Sequence, residues 1–215
     1  MQTNTLKWLF LTVLALIWGS SFILIKKGLV GLSPMQLGSL RIIFSALFLI
    51  IIGFRSITEI KHHQWKYIAL TSLFGTFIPA FLFAIAQTQI GSSVSSILNS
   101  LTPLNTLIIG GLAFGLSFKR TQVFGVIIGL IGTLLLIVNG AMNHPNQNYW
   151  YTVLVLIASI CYATNVNLLK KHLSDVKPLS ISTGNFLVML VPALIVLFST
   201  DFMNVVENAE VQNSM

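Results

Sequence analysis

The sequence predicts an all-α polytopic membrane protein with about seven transmembrane helices. They would form one full five-helix repeat followed by the first two helices of an inverted second repeat. Three observations carry this. First, 55% of the 215 residues are apolar and only 8% are charged, against roughly 25% charged in ordinary soluble domains; so little charge could not cover a water-soluble core. Second, the apolar residues come in runs of about 20, the length a helix needs to cross the hydrocarbon. Third, an N-terminal segment recurs 144 positions later without a gap. Trp18-Gly19-Ser20-Ser21 is answered by Tyr162-Ala163-Thr164-Asn165, Lys26-Lys27 by Lys170-Lys171, and Pro34 by Pro178.

The expected spans are 7–29, 34–54, 66–87, 91–115, 120–139, 149–169 and 179–199. The first is too long for a signal-peptide core and no small-residue cleavage site follows it, so it reads as a retained helix. The joints are short: Ser33-Pro34, Thr88 to Gly91, Phe118 to Thr121, His144-Pro145-Asn146, and Asp175 to Pro178. A first repeat then covers 6–139, a partial second one 149–199, and an acidic polar tail 200–215. Cytoplasmic loops are enriched in Lys and Arg. With the N-terminus inside, Lys7, Arg55, Lys61, Lys66, Lys119, Arg120, Lys170, Lys171 and Lys177 all lie on that side, and only Lys26 and Lys27 fall outside. This charge pattern predicts a multi-pass protein of the cell (inner or plasma) membrane. Five spans separate the two copies, an odd number, so they enter from opposite faces, as inverted transporter repeats do.

Several function classes are excluded by what the spans lack. All five carboxylates (Glu59, Asp175, Asp201, Glu207, Glu210) and all four histidines lie in loops or the tail, leaving no embedded acid to carry a proton or pair with a cationic drug. Cys161 is the single cysteine, which rules out an intrachain disulfide and any multi-cysteine metal site. No phosphate loop, metal cluster or nucleophile–base pair stands out. The chain is therefore not read as an enzyme, and no cofactor or metal is expected. The net charge of +7 belongs to membrane orientation rather than to nucleic-acid binding.

Polar residues inside spans are costly in lipid and face a pathway or a neighbouring helix. The candidates for a solute pathway are Ser20 and Ser21 in the first helix, Arg41 in the second, Asn99, Thr102 and Thr106 in the fourth, and Thr164, Asn165 and Asn167 in the sixth. For the serines, helix packing is the competing reading. Pro103 lacks an amide hydrogen and so frees the Asn99 carbonyl, which is either a solute ligand or a kink re-satisfied by a neighbour. Pro79 and Pro192 free the Gly75 and Val188 carbonyls in the same way and read as bends. Arg41 lies ~10 Å below Pro34 at ~1.5 Å per residue. It either bonds loop carbonyls and helix ends, or joins Lys26 in an electropositive vestibule for a carboxylate-bearing metabolite. Small-residue spacing at Gly111/Gly115 and Gly125/Gly129/Gly132 suits close packing of helices four and five.

Trp18-Gly19-Ser20-Ser21-Phe22 with Lys26, Pro34 and Arg41 resembles the EamA-like members of the drug/metabolite transporter superfamily. So do Ser93 to Leu98 leading into Leu101-Thr102-Pro103-Leu104, and Gln122-x-x-Gly125 with Gly132. The resemblance implies ten helices in two inverted five-helix repeats, both termini cytoplasmic. It also implies movement of amino acids, other metabolites or toxic compounds by alternating access. Two features depart from it: Leu116-Ser117-Phe118-Lys119 lacks an acidic residue common at that turn, and helices eight to ten have no counterpart. The function expected is thus a membrane permease or exporter of small organic solutes whose partners are the lipid bilayer and the solute. The alternative is a truncated, transport-inactive fragment, or a subunit needing a membrane partner or a second copy for the missing helices.

Overall fold

A computed structural model describes residues 2–115, 120–143 and 147–206. The turn Leu116 to Lys119, the joint His144-Pro145-Asn146, and Glu207 and Glu210 of the expected tail lie outside the described residues. The described residues form helices joined by short turns: α1 (Gln2–Gly28), α2 (Pro34–Gly53), α3 (Trp65–Ser72), α4 (Ile78–Gln89), α5 (Ser92–Asn99), α6 (Thr102–Phe114), α7 (Arg120–Asn143), α8 (Thr152–His172), α9 (Pro178–Phe198) and the short α10 (Phe202–Val206). Six stretches of the described residues are long and apolar enough to cross a membrane: Thr5–Gly28, Pro34–Glu59, His62–Gln89, Ser92–Phe114, Tyr149–His172 and Pro178–Phe198. The protein is an all-helical, multi-pass membrane protein. The fifth expected span falls on α7, a helix of 24 residues.

Local chemistry sets the helix boundaries. Ser33 and Gln36 form a reciprocal capping box at the start of α2, with the Ser33 amide 2.9 Å from Gln36 Oε1 and the Gln36 amide 3.3 Å from Ser33 Oγ. Pro34 takes the first helical position, where no amide hydrogen is needed. Pro178 opens α9 in the same way. Two expected helices are interrupted, both at proline. In the third span, Pro79 sits at the start of α4, and the preceding Leu73–Phe77 is a π-helical turn whose bonding register places the Ile78 amide on the Leu73 carbonyl. In the fourth, α5 ends at Asn99 and α6 begins at Thr102, with Pro103 in its first turn. The expected kink at Pro103 is therefore a break between two helices. Pro192, by contrast, lies inside an uninterrupted α9.

The most extensive pairing is α2 against α9, and α8 packs against α3, α4, α5 and α6. α2 and α9 run antiparallel: a β-carbon at Gly53 would meet Thr183 and Leu179, while Ile42 and Ile43 pack with Met189, Ala193 and Leu197. A second cluster joins Phe22 and Ile25 of α1 to Phe83, Ala86, Leu98, Val155 and Ala158. A third, of Ile60, Ile68 and Leu173, closes the opposite end of the bundle. Of the expected glycine stripe, Gly129 approaches α6 closely, since a β-carbon there would lie 3.3 Å from Leu104. Gly125 and Gly132 face open space, and Gly115 ends α6 in a left-handed conformation (φ 68°).

Candidate functional site

The polar residues predicted within the spans separate into two groups once their partners are known. The larger group fastens helices together. Asn167 Nδ2 donates to the carbonyls of Thr106 (3.0 Å) and Ala163 (2.9 Å), tying α8 to α6. One helical face further, Asn105 Nδ2 donates to Ser159 Oγ at 2.7 Å. The Asn99 carbonyl freed by Pro103 is taken up locally by the Thr102 hydroxyl at 2.8 Å, and the Thr106 hydroxyl bonds the Thr102 carbonyl. Ser20, Ser21 and Thr164 return their hydroxyls to their own helices, at Ile17, Trp18 and Ile160. Ser20 is exposed on α1 and Ser21 half-buried.

The smaller group is Arg41 and Asn165. Arg41 makes no hydrogen bond or ion pair among the described residues. Its guanidinium lies within electrostatic range of the Tyr162 phenol, and its side chain keeps exposed surface although protein surrounds it. Among the described residues it bonds neither loop carbonyls nor helix ends. Lys26 has a different fate. Its Nζ donates to the Gln87 carbonyl at 2.6 Å and reaches Ile90 at 3.4 Å, capping α4, so its ammonium is bound to a helix end rather than shared with Arg41. The repeat counterpart of Arg41, Asn185, lies 2.9 Å from the Thr71 hydroxyl on α3.

Asn165 lies one turn beyond Tyr162 on α8, hence on the same face. Its side chain rests against the π-helical turn at Gly75, where a β-carbon would fall 2.5–2.9 Å from its amide atoms. Only glycine admits Asn165 at that point. Asn165 Oδ1 is buried without a hydrogen-bond partner among the described residues. Beside it, Phe83 stacks on Tyr162 (centroids 6.0 Å) and meets Phe22 edge-on (5.4 Å), forming an aromatic wall from α1 through α4 to α8. Sequence reasoning missed this wall and the Gly75 contact. The available signals were the Gly75–Pro79 spacing and the place of Tyr162 as counterpart of Trp18.

At the other end, the segment before α3 is tied to the α8–α9 turn. The Gln64 amide donates to both Asp175 oxygens (3.0 and 3.1 Å), Lys61 lies 3.6 Å from Asp175, and Lys177 and Ser180 hold Glu59 at 2.6 and 3.0 Å. Tyr67 stacks on His172 with centroids 3.9 Å apart.

Among known families, residues 6–138 match the EamA-like transporter family. The chain belongs to the EamA-like transporter family. Among curated relatives, this EamA-like chain is 26% identical over 190 residues to an uncharacterized transporter of Archaeoglobus fulgidus, covering 86% of the chain and 65% of the relative. It is 27% identical over 157 residues to the uncharacterized inner membrane transporter YedA of Escherichia coli K12, covering 71% of the chain and 49% of that protein. A probable amino-acid metabolite efflux pump of Salmonella typhimurium is 26% identical over 194 residues, covering 86% and 62%. The EamA-like chain thus spans about half to two thirds of the length of the curated relatives it matches. No solved structure matches it.

Proposed function

We propose that the chain is a permease or exporter of small organic solutes, seated in the cell membrane with its N-terminus in the cytoplasm. It would work by alternating access between inverted repeats. The observation that carries this reading is Arg41, a permanent charge inside a span with no protein partner among the described residues. An unpaired guanidinium in hydrocarbon is costly, and such residues face a bundle interior or a water-filled path and meet an ionic partner there. A solute carboxylate is the partner that suits a planar guanidinium, which binds it through two parallel hydrogen bonds. The pathway then follows Arg41, Tyr162 and Asn165. Asn167 ties α8 to α6 through its amide nitrogen, and Asn99, Thr102 and Thr106 bond one another locally, so they stand as secondary members. Ser20, Ser21 and Thr164 are secondary members, with hydroxyls already bonded to their own backbones. One relative's name, a probable amino-acid metabolite efflux pump, makes amino-acid-like solutes the first to test.

The test is Arg41→Gln in proteoliposomes. Uptake or efflux of carboxylate-bearing solutes is expected to fall about tenfold or more, the size of one lost charge-assisted hydrogen bond, with neutral solutes less affected and protein yield unchanged. Equal loss for both solute classes, together with reduced yield, would return Arg41 to a structural role.

A further inference from the structure

We propose that the end of the bundle where α3 meets α8 binds the phosphate of an anionic phospholipid between Lys66 and Lys171. The inference requires only that the chain sits in a membrane. Both carboxylates of this end are already taken, since Lys177 lies 2.6 Å from Glu59 and Lys61 lies 3.6 Å from Asp175. The remaining described acid, Asp201, follows the opposite end of α9. Lys66 and Lys171 are left exposed, with no ion pair and no hydrogen bond among the described residues.

Unpaired surface lysines are ordinary, but these two are held in place. Lys66 Nζ sits 4.8 Å from the centre of the Tyr67 ring, and Lys171 Nζ 5.2 Å from that of Phe114 on α6. An aromatic face attracts an ammonium through its quadrupole, yet leaves the three N–H donors of a lysine for a stronger acceptor. Tyr67 in turn stacks on His172, with centroids 3.9 Å apart and planes 6° apart. The Lys66 ammonium therefore lies no further from the His172 ring than those two distances laid end to end. Lys171 is the residue before His172, so the stack brings both lysines to one junction of α3 and α8.

The position of the junction along the spans points to a lipid as the source of the anion. Lys66 lies near the start of the His62–Gln89 span and Lys171 at the end of the Tyr149–His172 span, which is headgroup depth. Trp65, half-buried beside Lys66, is the residue type enriched at that depth. Leu70 follows Lys66 by one turn on the same face of α3 and is exposed. Cationic donors at the interface with apolar surface one turn deeper match the order of phosphate and acyl chain in a phospholipid. Basic pockets between membrane helices bind anionic headgroups in this way. A zwitterionic lipid is the poorer ligand, because its own cation would face the two lysines.

The test is native mass spectrometry of the full chain released from detergent micelles. Phosphatidylglycerol and phosphatidylcholine with matched acyl chains are supplied in equal amounts. Wild-type protein is expected to retain phosphatidylglycerol about tenfold or more over phosphatidylcholine, and Lys66→Gln and Lys171→Gln should each lower that preference about fivefold, the effect of one lysine near a charged surface. Lys66→Arg should keep the preference. A variant carrying both Lys61→Gln and Lys177→Gln removes two charges from the same end but spares the lysines held by rings, and should keep it too. If that variant loses the preference as far as Lys66→Gln with Lys171→Gln does, net charge rather than a site is responsible and the assignment is overturned. Equal retention of the two lipids by wild-type protein also overturns it. Displacement of phosphatidylglycerol by millimolar inorganic phosphate would overturn the lipid as ligand and leave a site for free phosphate.

Discussion

Asn165 and Asn167 are two positions apart on one helix and do opposite work. Asn167 turns its amide into α6 and completes two hydrogen bonds; Asn165 turns into the π turn and leaves an oxygen open. Interhelical hydrogen bonds in membranes contribute roughly 0.6 kcal/mol on average and up to about 2. Asn167→Ala is therefore expected to lower stability by about 1 kcal/mol in a detergent unfolding titration. Asn165→Ala, which removes no hydrogen bond made through Oδ1, should cost less in the same titration. The sequence shows both residues to be unusual in a span, and it shows Arg41 to be a lone charge. It cannot show which asparagine is satisfied, because the deciding partners, Thr106 and Gly75, are about 60 and 90 positions away. Helix periodicity places neighbours three or four residues apart, and nothing comparable reaches across that distance.

At the scale of elements, the prolines were legible and their outcomes were not. Pro79, Pro103 and Pro192 all remove one donor, yet the chain answers with a π turn, a helix break and an uninterrupted helix respectively. At Pro103 the adjacent Thr102 hydroxyl takes up the freed Asn99 carbonyl, which lets the chain break without leaving an orphan acceptor. The tie between the segment before α3 and the α8–α9 turn was equally hidden, since no sequence rule joins Gln64 to Asp175. Its energetics are uneven. Lys177–Glu59 and Lys61–Asp175 are exposed pairs, with 73% and 66% of the lysine side chains open to solvent, and such pairs contribute about 0–1 kcal/mol. Gln64 is 2% exposed; besides its bonds to Asp175, its Oε1 accepts from the Lys61 amide at 2.9 Å. We expect Gln64→Leu to destabilise the protein by about 1–2 kcal/mol, discounted for the exposure of Asp175. Lys177→Met should cost no more than about 0.5 kcal/mol. Parallel thermal unfolding curves of the two variants check the order.

For the molecule as a whole, the unequal treatment of α1 and α8 is the informative feature. α8 is held by α3, α4, α5 and α6, and 39% of its most apolar window is buried, against 6% for α1. Only the C-terminal part of α1, at Phe22 and Ile25, enters a core. Yet the outer face of α1 is not a plain lipid-facing surface. Trp18, near the middle of the Thr5–Gly28 span, is 63% exposed, although tryptophan is enriched at membrane interfaces rather than at mid-depth. Gly19 next to it has nothing within 4 Å of a β-carbon. On the repeat expectation, Trp18 is the counterpart of Tyr162, which in α8 stacks on Phe83. Among the described residues this face of α1 is therefore open. For the 215-residue chain by itself the prediction is definite. In a variant with Trp8, Trp65 and Trp150 replaced by Phe, Trp18 fluorescence should be strongly quenched by lipids brominated deep in the acyl chain. Gly19→Leu should leave unfolding unchanged or slightly favour the folded state, since it adds helix propensity of roughly 0.5–1 kcal/mol and meets no atom. Gly75→Ala, which meets the Asn165 side chain, should destabilise instead. A Trp18 protected from brominated lipid in the chain alone would mean that α1 is already covered by protein, and the reading of its face as open would be wrong.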